Sequence, residues 1–187
     1  MLDQVIARDM LHARLFAEVA HKDQIYDGKP YVEAHLDLVA QEVYEFTKDP
    51  VYIAVAYLHD TIEDTGTSLQ DIADNFGWTI AHAVFAVTDR PGSSRFERQY
   101  MTYAACRENP ISLAVKLCDR IVNMRASFKT VHALTYVNEY ERFKGSLYVL
   151  SADDGELWDK LDILNEDLKK DIHDNNSLYI DLSKVRQ

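Results

Sequence analysis

The sequence predicts an all-α fold, a single helical bundle, on three observations. Only 6 glycines and 4 prolines occur among 187 residues, so turn residues are scarce. Few stretches alternate apolar and polar residues with the period of two that strands show. Hydrophobic residues make up 47% and charged residues 27% of the chain, which is the composition of a folded protein. The length suits one domain with a substantial core.

The first three helices follow from apolar spacing and from turn residues. The first is expected from about Leu2 to His21, where apolar residues recur at helical spacing. A polar turn at Asp27–Pro30 separates it from a second helix at about Tyr31–Thr47. Asp49-Pro50 is typical of a helix start, and it predicts a third helix over about Val51–Asp64.

The third helix changes character along its length. Its first half is so apolar that we expect it in the centre of the bundle, yet the run His59-Asp60-Thr61-Ile62-Glu63-Asp64 follows at once. Burying carboxylates without partners costs several kcal/mol, so these acids need a metal, a cation or a water-filled cleft. We therefore place the functional site here.

The rest of the chain continues the helical pattern. Ser68, with Asp71 three residues on, is typical of a capped helix start. The tail after Asp174 is expected at the periphery of the bundle. Helices are expected over about Ser68–Phe76, Trp78–Val87, Ser94–Glu108, Pro110–Phe128, Val131–Leu150 and Glu156–His173, with a loop at Thr88–Ser94.

The net charge limits the classes of ligand that the protein can bind, and the cysteine content indicates the redox state of its compartment. The net charge of −11 leaves no basic face for duplex nucleic acid, whose phosphates Lys and Arg would have to neutralise. A small anionic substrate is compatible with this charge, because a metal and a few local cations can reverse the potential of one cleft. Cys106 and Cys118 lie in apolar runs and are expected as buried free thiols in a reducing compartment.

The composition of the first predicted helix indicates where in the cell the protein is located. Met1–Ala20 lacks the apolar core of a signal peptide or a membrane anchor, so we expect a cytoplasmic protein without membrane contact. No feature of the sequence sets its oligomeric state.

His59 and Asp60 are candidate metal ligands. As neighbours on a helix they leave it about 100° apart and can still reach one ion. Asp60 and Asp64 stand four residues apart, as do His59 and Glu63, so each pair shares a helix face. Neutral imidazole and carboxylate together suit Mn, Fe, Zn or a similar divalent ion.

His35 and Asp119 are the candidates to complete the site, because two ligands do not hold an ion tightly. Each lies inside an apolar run with helical spacing. A single histidine in such a run is usually a satisfied core residue, and an aspartate beside an arginine usually forms a salt bridge. Spacing alone leaves both alternatives open.

Three motifs occur in order between about His21 and Tyr140: Pro30–His35, the run Ala56–Thr65 followed by Phe76-Gly77, and Val115–Arg125. The first resembles the Pro-Tyr-Ile-x-His segment of RelA/SpoT hydrolases and their small alarmone hydrolase relatives, among them metazoan SpoT homologues. The second resembles the HD motif of these phosphohydrolases. The third is similar to their Lys-Leu-Ala-Asp-Arg-x-x-Asn-x-Arg segment. Three motifs in this order are a specific signal.

The resemblance implies an HD-type helical bundle, with the metal-site core at about residues 21–140 and the helices at about 131–173 completing it. It implies one divalent ion, Mn²⁺ in the first place, with Fe, Zn, Co, Ni or Mg as alternatives. The family reaction removes the 3′-pyrophosphate of the alarmone (p)ppGpp, giving pyrophosphate and GDP or GTP. The implied metal ligands are His35, His59, Asp60 and Asp119.

Four further residues match positions that have a function in the family. Glu63 and Asp64 match the acidic pair that aligns and deprotonates the attacking water. Asn123 matches an asparagine that contacts ribose, and Tyr140 matches a tyrosine near the nucleotide. Structural explanations also exist: a solvated helix end for the acids, a carbonyl contact for Asn123 and a core position for Tyr140.

The segment expected at the base departs from the family. After His21 the family usually reads Gln-x-Arg-Lys, where the arginine stacks on guanine and the lysine meets phosphate. Here the run is Gln24-Ile25-Tyr26-Asp27-Gly28-Lys29-Pro30, without the Arg-Lys pair. Gln24 keeps the glutamine, and Tyr26 has the flat ring that stacking needs. Lys29 (or Lys22) and Arg95 (or Arg98) are the candidates to supply the missing charge, although each also fits an ordinary exposed side chain.

The missing pair keeps two other functions open. An HD-type site could act on another nucleotide, such as a dNTP, a nucleoside monophosphate or NADPH. A catalytically silent nucleotide-binding module would predict a damaged ligand set, whereas all four candidate ligands and both acids are present.

Overall fold

A computed structural model describes residues 2–149, 153–176, 178 and 179, with the backbone alone for residues 2–8. Most of the described chain is helical, which confirms the all-α class. No helix in the described ranges is both long enough and apolar enough to cross a membrane.

The chain begins with helix α1, Leu2–Ala20, and then forms a short hairpin of β1, Ile25–Tyr26, and β2, Lys29–Pro30. The strands pair antiparallel, with Tyr26 opposite Lys29. Asp27 and Gly28 connect them with φ angles of 49° and 76°. Two successive positive φ angles make the tight turn that an Asp-Gly dipeptide favours, so the predicted polar turn is confirmed as a hairpin.

The second predicted helix begins as a π-helical turn, Val32–Leu36, which continues directly into α2, Asp37–Phe46. The Asp37 amide donates back to the Val32 carbonyl, the wider spacing of a π turn. Such turns displace side chains from regular helical positions and occur often at functional sites. His35 lies within this turn.

The third predicted helix is wrong as a single element. Helix α3, Pro50–Leu58, ends before His59-Asp60, and a short helix α4, Thr61–Asp64, follows. The break lies at Asp60, whose backbone angles of −97° and −4° leave the helical range, while the Thr61 hydroxyl donates to the Leu58 carbonyl at 2.6 Å. Asp60 and Asp64 still stand one helical turn apart, because the Asp64 amide donates to the Asp60 carbonyl at 2.9 Å, whereas His59 and Glu63 lie on opposite sides of the break.

The remaining helices match the predictions within a few residues. Ser68 forms the expected capping box with Asp71, and the Asn109 side chain caps a helix with Pro110 at its first position. The helix expected to reach Leu150 ends at Leu147, and Leu150 itself lies outside the described residues. The helices are α5, Leu69–Phe76; α6, Trp78–Val87; α7, Arg95–Arg107; α8, Pro110–Ala126; α9, Val131–Leu147; and α10, Gly155–Asp174.

Two helices form the centre of the core. Helix α8 packs against α2, α3, α6, α7, α9 and α10, and α3 packs against α1, α2, α6 and α8. Cys106 and Cys118 are buried, unpaired thiols, as expected. Burial raises the pKa of the Cys106 thiol to about 12, so it stays protonated and unreactive at neutral pH.

The expected peripheral position of the tail after Asp174 is wrong at Tyr179. Its side chain is buried, and its hydroxyl accepts a hydrogen bond from the Lys129 amide at 2.8 Å and donates one to Asp171. The aromatic ring has enough apolar area to bring this part of the tail onto the core. Residues 177 and 180–187 of the tail lie outside the described part.

Glu42 is a charged side chain that connects three helices in the core. It lies on α2, is 2% exposed, and accepts hydrogen bonds from Lys160 of α10 at 2.8 Å and from Arg125 of α8. Burial acts to raise its pKa, but the two cations outweigh burial and hold the pKa below the ordinary 4.5.

We expect Glu42→Gln to lower the free energy of unfolding by about 2 kcal/mol at pH 7, since hydrogen bonds to charged groups are lost. Urea unfolding measures this, with exposed Glu45→Gln on the same helix as the control. A carboxylate with a lowered pKa stabilises above its unfolded pKa, and that stability is lost as the pH falls through the folded pKa. The difference between variant and wild type should therefore disappear well below pH 4.5. A constant difference at every pH would contradict this explanation.

Candidate metal centre and cavity

Four candidate ligands from three separate parts of the fold lie at one place. His35 comes from the π turn, His59 and Asp60 from the break after α3, and Asp119 from the middle of α8. His35 Nε2 lies 3.3 Å from Asp119 Oδ1 and 3.6 Å from Asp60 Oδ2. His59 Nε2 lies 3.1 Å from Asp60 Oδ2 and 3.9 Å from Asp119 Oδ1. One atom each of His35, His59 and Asp119 lies within 4.8 Å of the others.

The orientation of His59 fits a metal ligand. Its Nδ1 donates to the Ala56 carbonyl at 2.8 Å, so in the neutral ring the proton lies on Nδ1 and the lone pair on Nε2. Nε2 is buried and has no hydrogen-bond partner among the described residues. A buried nitrogen lone pair that faces two carboxylates is the arrangement that a divalent cation would satisfy, with the backbone carbonyl fixing the ring.

The electrostatics of the cluster also fit a cation. Burial alone lowers the pKa of His59, but Asp60, together with Asp119, raises it to about 9. For Asp60, burial raises the pKa, and the field of His59 outweighs it, so the pKa stays below its usual range. For Asp119, the field of Lys116 has the same effect. Both carboxylates therefore remain ionised at neutral pH, so the site offers two anionic ligands to a divalent ion.

Neighbouring side chains hold the two carboxylates in place. The Tyr31 hydroxyl donates to Asp60 Oδ2 at 2.6 Å. Asn123, one turn after Asp119 on α8, donates to Asp119 Oδ1 at 2.5 Å. Lys116 Nζ lies 3.5 Å from Asp119 Oδ2. Such contacts fix the direction of a ligand's lone pairs before an ion arrives.

The two acids that follow the ligands lie at the wall of the same cavity. Glu63 accepts a hydrogen bond from the Asp89 amide at 3.0 Å, where the loop after α6 begins. Desolvation raises the pKa of Glu63 above its usual value, although the Asp89 amide opposes this. Asp64 accepts a hydrogen bond from Gln24 Nε2 at 3.3 Å.

A cavity of about 240 Å³ opens beside the ligands, and both acids line it. Its cations are Lys116 and Arg120 from α8 and Arg95 from α7. Arg120 donates to the Tyr103 hydroxyl at 3.2 Å, and Arg95 Nε donates to Glu139 at 2.8 Å. Negative ligands and positive side chains thus meet in one cleft, although the chain as a whole carries a net charge of −11. The remaining lining residues are Tyr26, Tyr31, Asp89, Gln99, Tyr103, Asn123 and Tyr136.

Three residues expected at the substrate do not line this cavity. Gln24 is held between His21 and Asp64 by hydrogen bonds on both sides. Lys29 is exposed on the second strand of the hairpin. The Tyr140 hydroxyl donates to Asp162 of α10 at 2.7 Å, so this buried tyrosine connects two helices. The structure does place the other three, Tyr26, Arg95 and Asn123, at the cavity.

The sequence interpretation missed several lining residues. Lys116 and Arg120 stand four residues apart on the apolar helix α8, so their shared face was a detectable signal. Tyr31 directly follows the hairpin and gave no polar signal of its own. Asp89 and Tyr136 come from a loop and from α9, and only the tertiary packing brings them to the cleft.

Known proteins resemble this chain in sequence and in structure. The human guanosine-3′,5′-bis(diphosphate) 3′-pyrophosphohydrolase MESH1 is 32% identical over 124 residues, which cover 64% of this chain and 69% of the human protein. The guanosine-3′,5′-bis(diphosphate) 3′-pyrophosphohydrolase of Aquifex aeolicus is 33% identical over 124 residues, and the chain spans only 18% of that longer protein. The solved structure of a metazoan ortholog of SpoT that hydrolyzes ppGpp has a TM-score of 0.69 at 22% identity, over 85% of this chain and 94% of that one, and it shows the same fold.

The family profile described as HD domain matches residues 13–148, which include all four candidate ligands. An HD domain implies a divalent metal ion, and His35, His59 and Asp119 could hold one. From the family profile and the relatives together, this chain belongs to the HD domain family and, within it, to the family of the MESH1 guanosine-3′,5′-bis(diphosphate) 3′-pyrophosphohydrolases.

Proposed function

We propose that the protein is a metal-dependent hydrolase that removes the 3′-pyrophosphate of (p)ppGpp, and that residues 1–187 form a single HD hydrolase domain. The observation that carries the proposal is the cavity in which the ligand cluster, three further acids and three cations meet. The activity of the named relatives supports the choice of substrate.

His35, His59, Asp60 and Asp119 would hold the ion, which we propose to be Mn²⁺. Two imidazole nitrogens and two carboxylates also suit Fe, Zn, Co or Ni, and Mg less well because it prefers oxygen ligands. A divalent ion bound there would polarise a phosphate oxygen and lower the pKa of a water molecule.

Glu63 and Asp64 are proposed to align the water and to take its proton. The raised pKa of Glu63 brings this carboxylate closer to neutrality, which suits a proton acceptor. The water oxygen forms a bond to the phosphorus that carries the ribose 3′ oxygen. The bond between that phosphorus and the 3′ oxygen breaks, and the 3′ oxygen gains a proton. The products are pyrophosphate and GDP or GTP.

Arg95 is proposed to stand in for the Arg-Lys pair that the family has near the base, because the other two cations of the cavity, Lys116 and Arg120, match a lysine and an arginine that the family also has. Lys116 and Arg120 are proposed to contact the phosphates, together with Arg95, which is the most exposed of the three. Arg95 would exchange its partner Glu139 for a phosphate group when the nucleotide binds.

The base is proposed to lie at the mouth of the cavity. A volume of about 240 Å³ is below the range of pockets that enclose a whole drug-sized ligand. The phosphates and the sugar would fill the interior, with Asn123 near the ribose. Tyr26 is 48% exposed at the mouth, so its ring is available for stacking on the base.

The test is a panel of nucleotides incubated with the Mn²⁺-loaded protein, with pyrophosphate and monophosphate release scored separately. We expect pyrophosphate from ppGpp in wild type and a loss of about 100-fold or more in Glu63→Gln, which keeps shape but not basicity. The exposed variant Glu166→Gln on α10 is the matched control and should match wild type. If the protein hydrolysed only a dNTP, a nucleoside monophosphate or NADPH, the proposed substrate would be wrong, whereas the assignment as a metal-dependent hydrolase would stand.

A further inference from the structure

His21 is a buried histidine behind the cavity that the proposed chemistry does not use. It directly follows α1, is 4% exposed and does not line the cavity. Its Nδ1 makes a hydrogen bond of 2.6 Å with Gln24 Oε1, while its Nε2 has no hydrogen-bond partner in the described part of the chain. A buried polar ring with one specific partner calls for a physical explanation.

The hydrogen bond between His21 and Gln24 has a defined direction. An amide oxygen only accepts, so His21 Nδ1 must carry the proton and donate it. The other end of the same amide, Nε2, then faces Asp64 Oδ2 at 3.3 Å and donates to it. If the amide turned over, its oxygen would face the carboxylate and repel it. The proton on His21 therefore sets which end of Gln24 meets Asp64.

A second chain of contacts leads from His21 to the metal ligands. Its ring packs against the Tyr31 ring with 4.9 Å between centroids. The Tyr31 amide donates to the Gln24 carbonyl at 3.0 Å, and the Tyr31 hydroxyl donates to Asp60 at 2.6 Å. His21 thus lies behind two carboxylates of the site without touching the cavity itself.

We propose that His21 is a positioning residue for the hydrolysis, acting through Gln24 to hold Asp64 in the orientation that receives the proton of the attacking water. The inference rests on the proposed function, because it assigns a task to Asp64. It gives Gln24 a task different from contact with substrate. Asp64 is exposed at the cavity wall, so without Gln24 its side chain would be free to rotate.

Two variants of His21 separate this task from simple packing. His21→Asn keeps a donor near the position of Nδ1 but removes the ring, whereas His21→Phe keeps a ring against Tyr31 but removes the donor. We expect His21→Phe to lower kcat by about 10-fold or more with KM within twofold of wild type, as for other residues that orient a reacting group. His21→Asn should keep kcat within about threefold of wild type. A packing role alone predicts the opposite order, which would overturn the proposal.

Gln24→Met tests the next step of the relay. It should lower kcat as much as His21→Phe does, and the double variant should fall no further, because the two side chains act in series. Additive losses would overturn the relay. Each comparison uses the full-length, Mn²⁺-loaded protein and the substrate that wild type hydrolyses in the nucleotide panel, with melting temperatures measured for every variant.

The proton on His21 can be observed without any assay of activity. In zinc-loaded protein labelled with ¹⁵N-histidine, NMR should show a proton on Nδ1 of His21, and this signal should disappear in His21→Asn. A ring that carries no proton on Nδ1 would overturn the relay, whatever the activity. A wild type inactive on every nucleotide would instead remove the proposed function, and the positioning role with it. Normal kcat in His21→Phe would remove the positioning role alone.

Discussion

Replacing His59 by alanine is expected to lower kcat/KM for ppGpp by about 1,000-fold, with the fold intact. The substitution removes the one nitrogen lone pair that is buried, fixed by the Ala56 carbonyl and directed at both carboxylates. Metal ions contribute several kcal/mol of charge stabilisation in such reactions, and about 4 kcal/mol corresponds to three orders of magnitude in rate. Pyrophosphate release under Mn²⁺ saturation measures the loss.

A matched control distinguishes the lost ligand from general damage. His82 on α6 is exposed and packs against Trp78, away from the cavity, so His82→Ala should keep the wild-type rate. Circular dichroism should show the same helix content for both variants. Activity of His59→Ala within tenfold of wild type would contradict the role of His59 as a ligand.

Removing the metal is expected to lower the melting temperature by about 10 °C. An ion present at 1,000 times its dissociation constant stabilises the folded state by about 4 kcal/mol, and each kcal/mol shifts the melting temperature by roughly 2–4 °C for a chain of this size. Without the ion, the ionised Asp60 and Asp119 share one buried cluster, in which His59 and Lys116 compensate their charge. Calorimetry with and without chelator measures the shift, and His59→Ala should show little of it.

This shift should grow with pH. The pKa of His59 in the metal-free cluster is raised to about 9 from 6.5, so protonation of His59 stabilises the metal-free protein fully below pH 6.5. That contribution is lost as the pH rises through 9, while metal binding improves because its ligand is deprotonated. We therefore expect a larger effect of chelator at pH 9.5 than at pH 7. An unchanged melting curve after verified metal removal would contradict the shared site.

Predictions that rest on a few neighbouring residues were confirmed in the structure. The capping box at Ser68 and the Asp-Gly turn at residues 27–28 both formed as expected. Each depends on hydrogen bonds or backbone angles within four residues, which the local sequence contains. The central position of α3 followed in the same way from its apolar composition.

Features that depend on distant partners did not follow from the sequence. The helix predicted through Asp64 breaks at Asp60, whose carboxylate makes its contacts with Tyr31 and the two histidines rather than along a regular helix. Gln24 binds Asp64, which lies 40 residues further on, and Tyr140 binds Asp162 of another helix. Neither partner is visible in a local pattern.

By itself, the sequence determined an all-α protein with a strongly apolar central helix. It also showed acidic residues that such a helix cannot bury without partners, and three motifs of a known family in their usual order. Apolar spacing and local capping encode these features in short stretches of chain. Only the tertiary structure decided which side chains share the cleft, because residues from α7, α8, α9 and the hairpin meet there after long separations in sequence. The packing of α8 against its neighbours places the Asp119 carboxylate beside the two imidazoles. The distances from Asp119 to His35 and His59 cannot be predicted from the local sequence around any of the three residues.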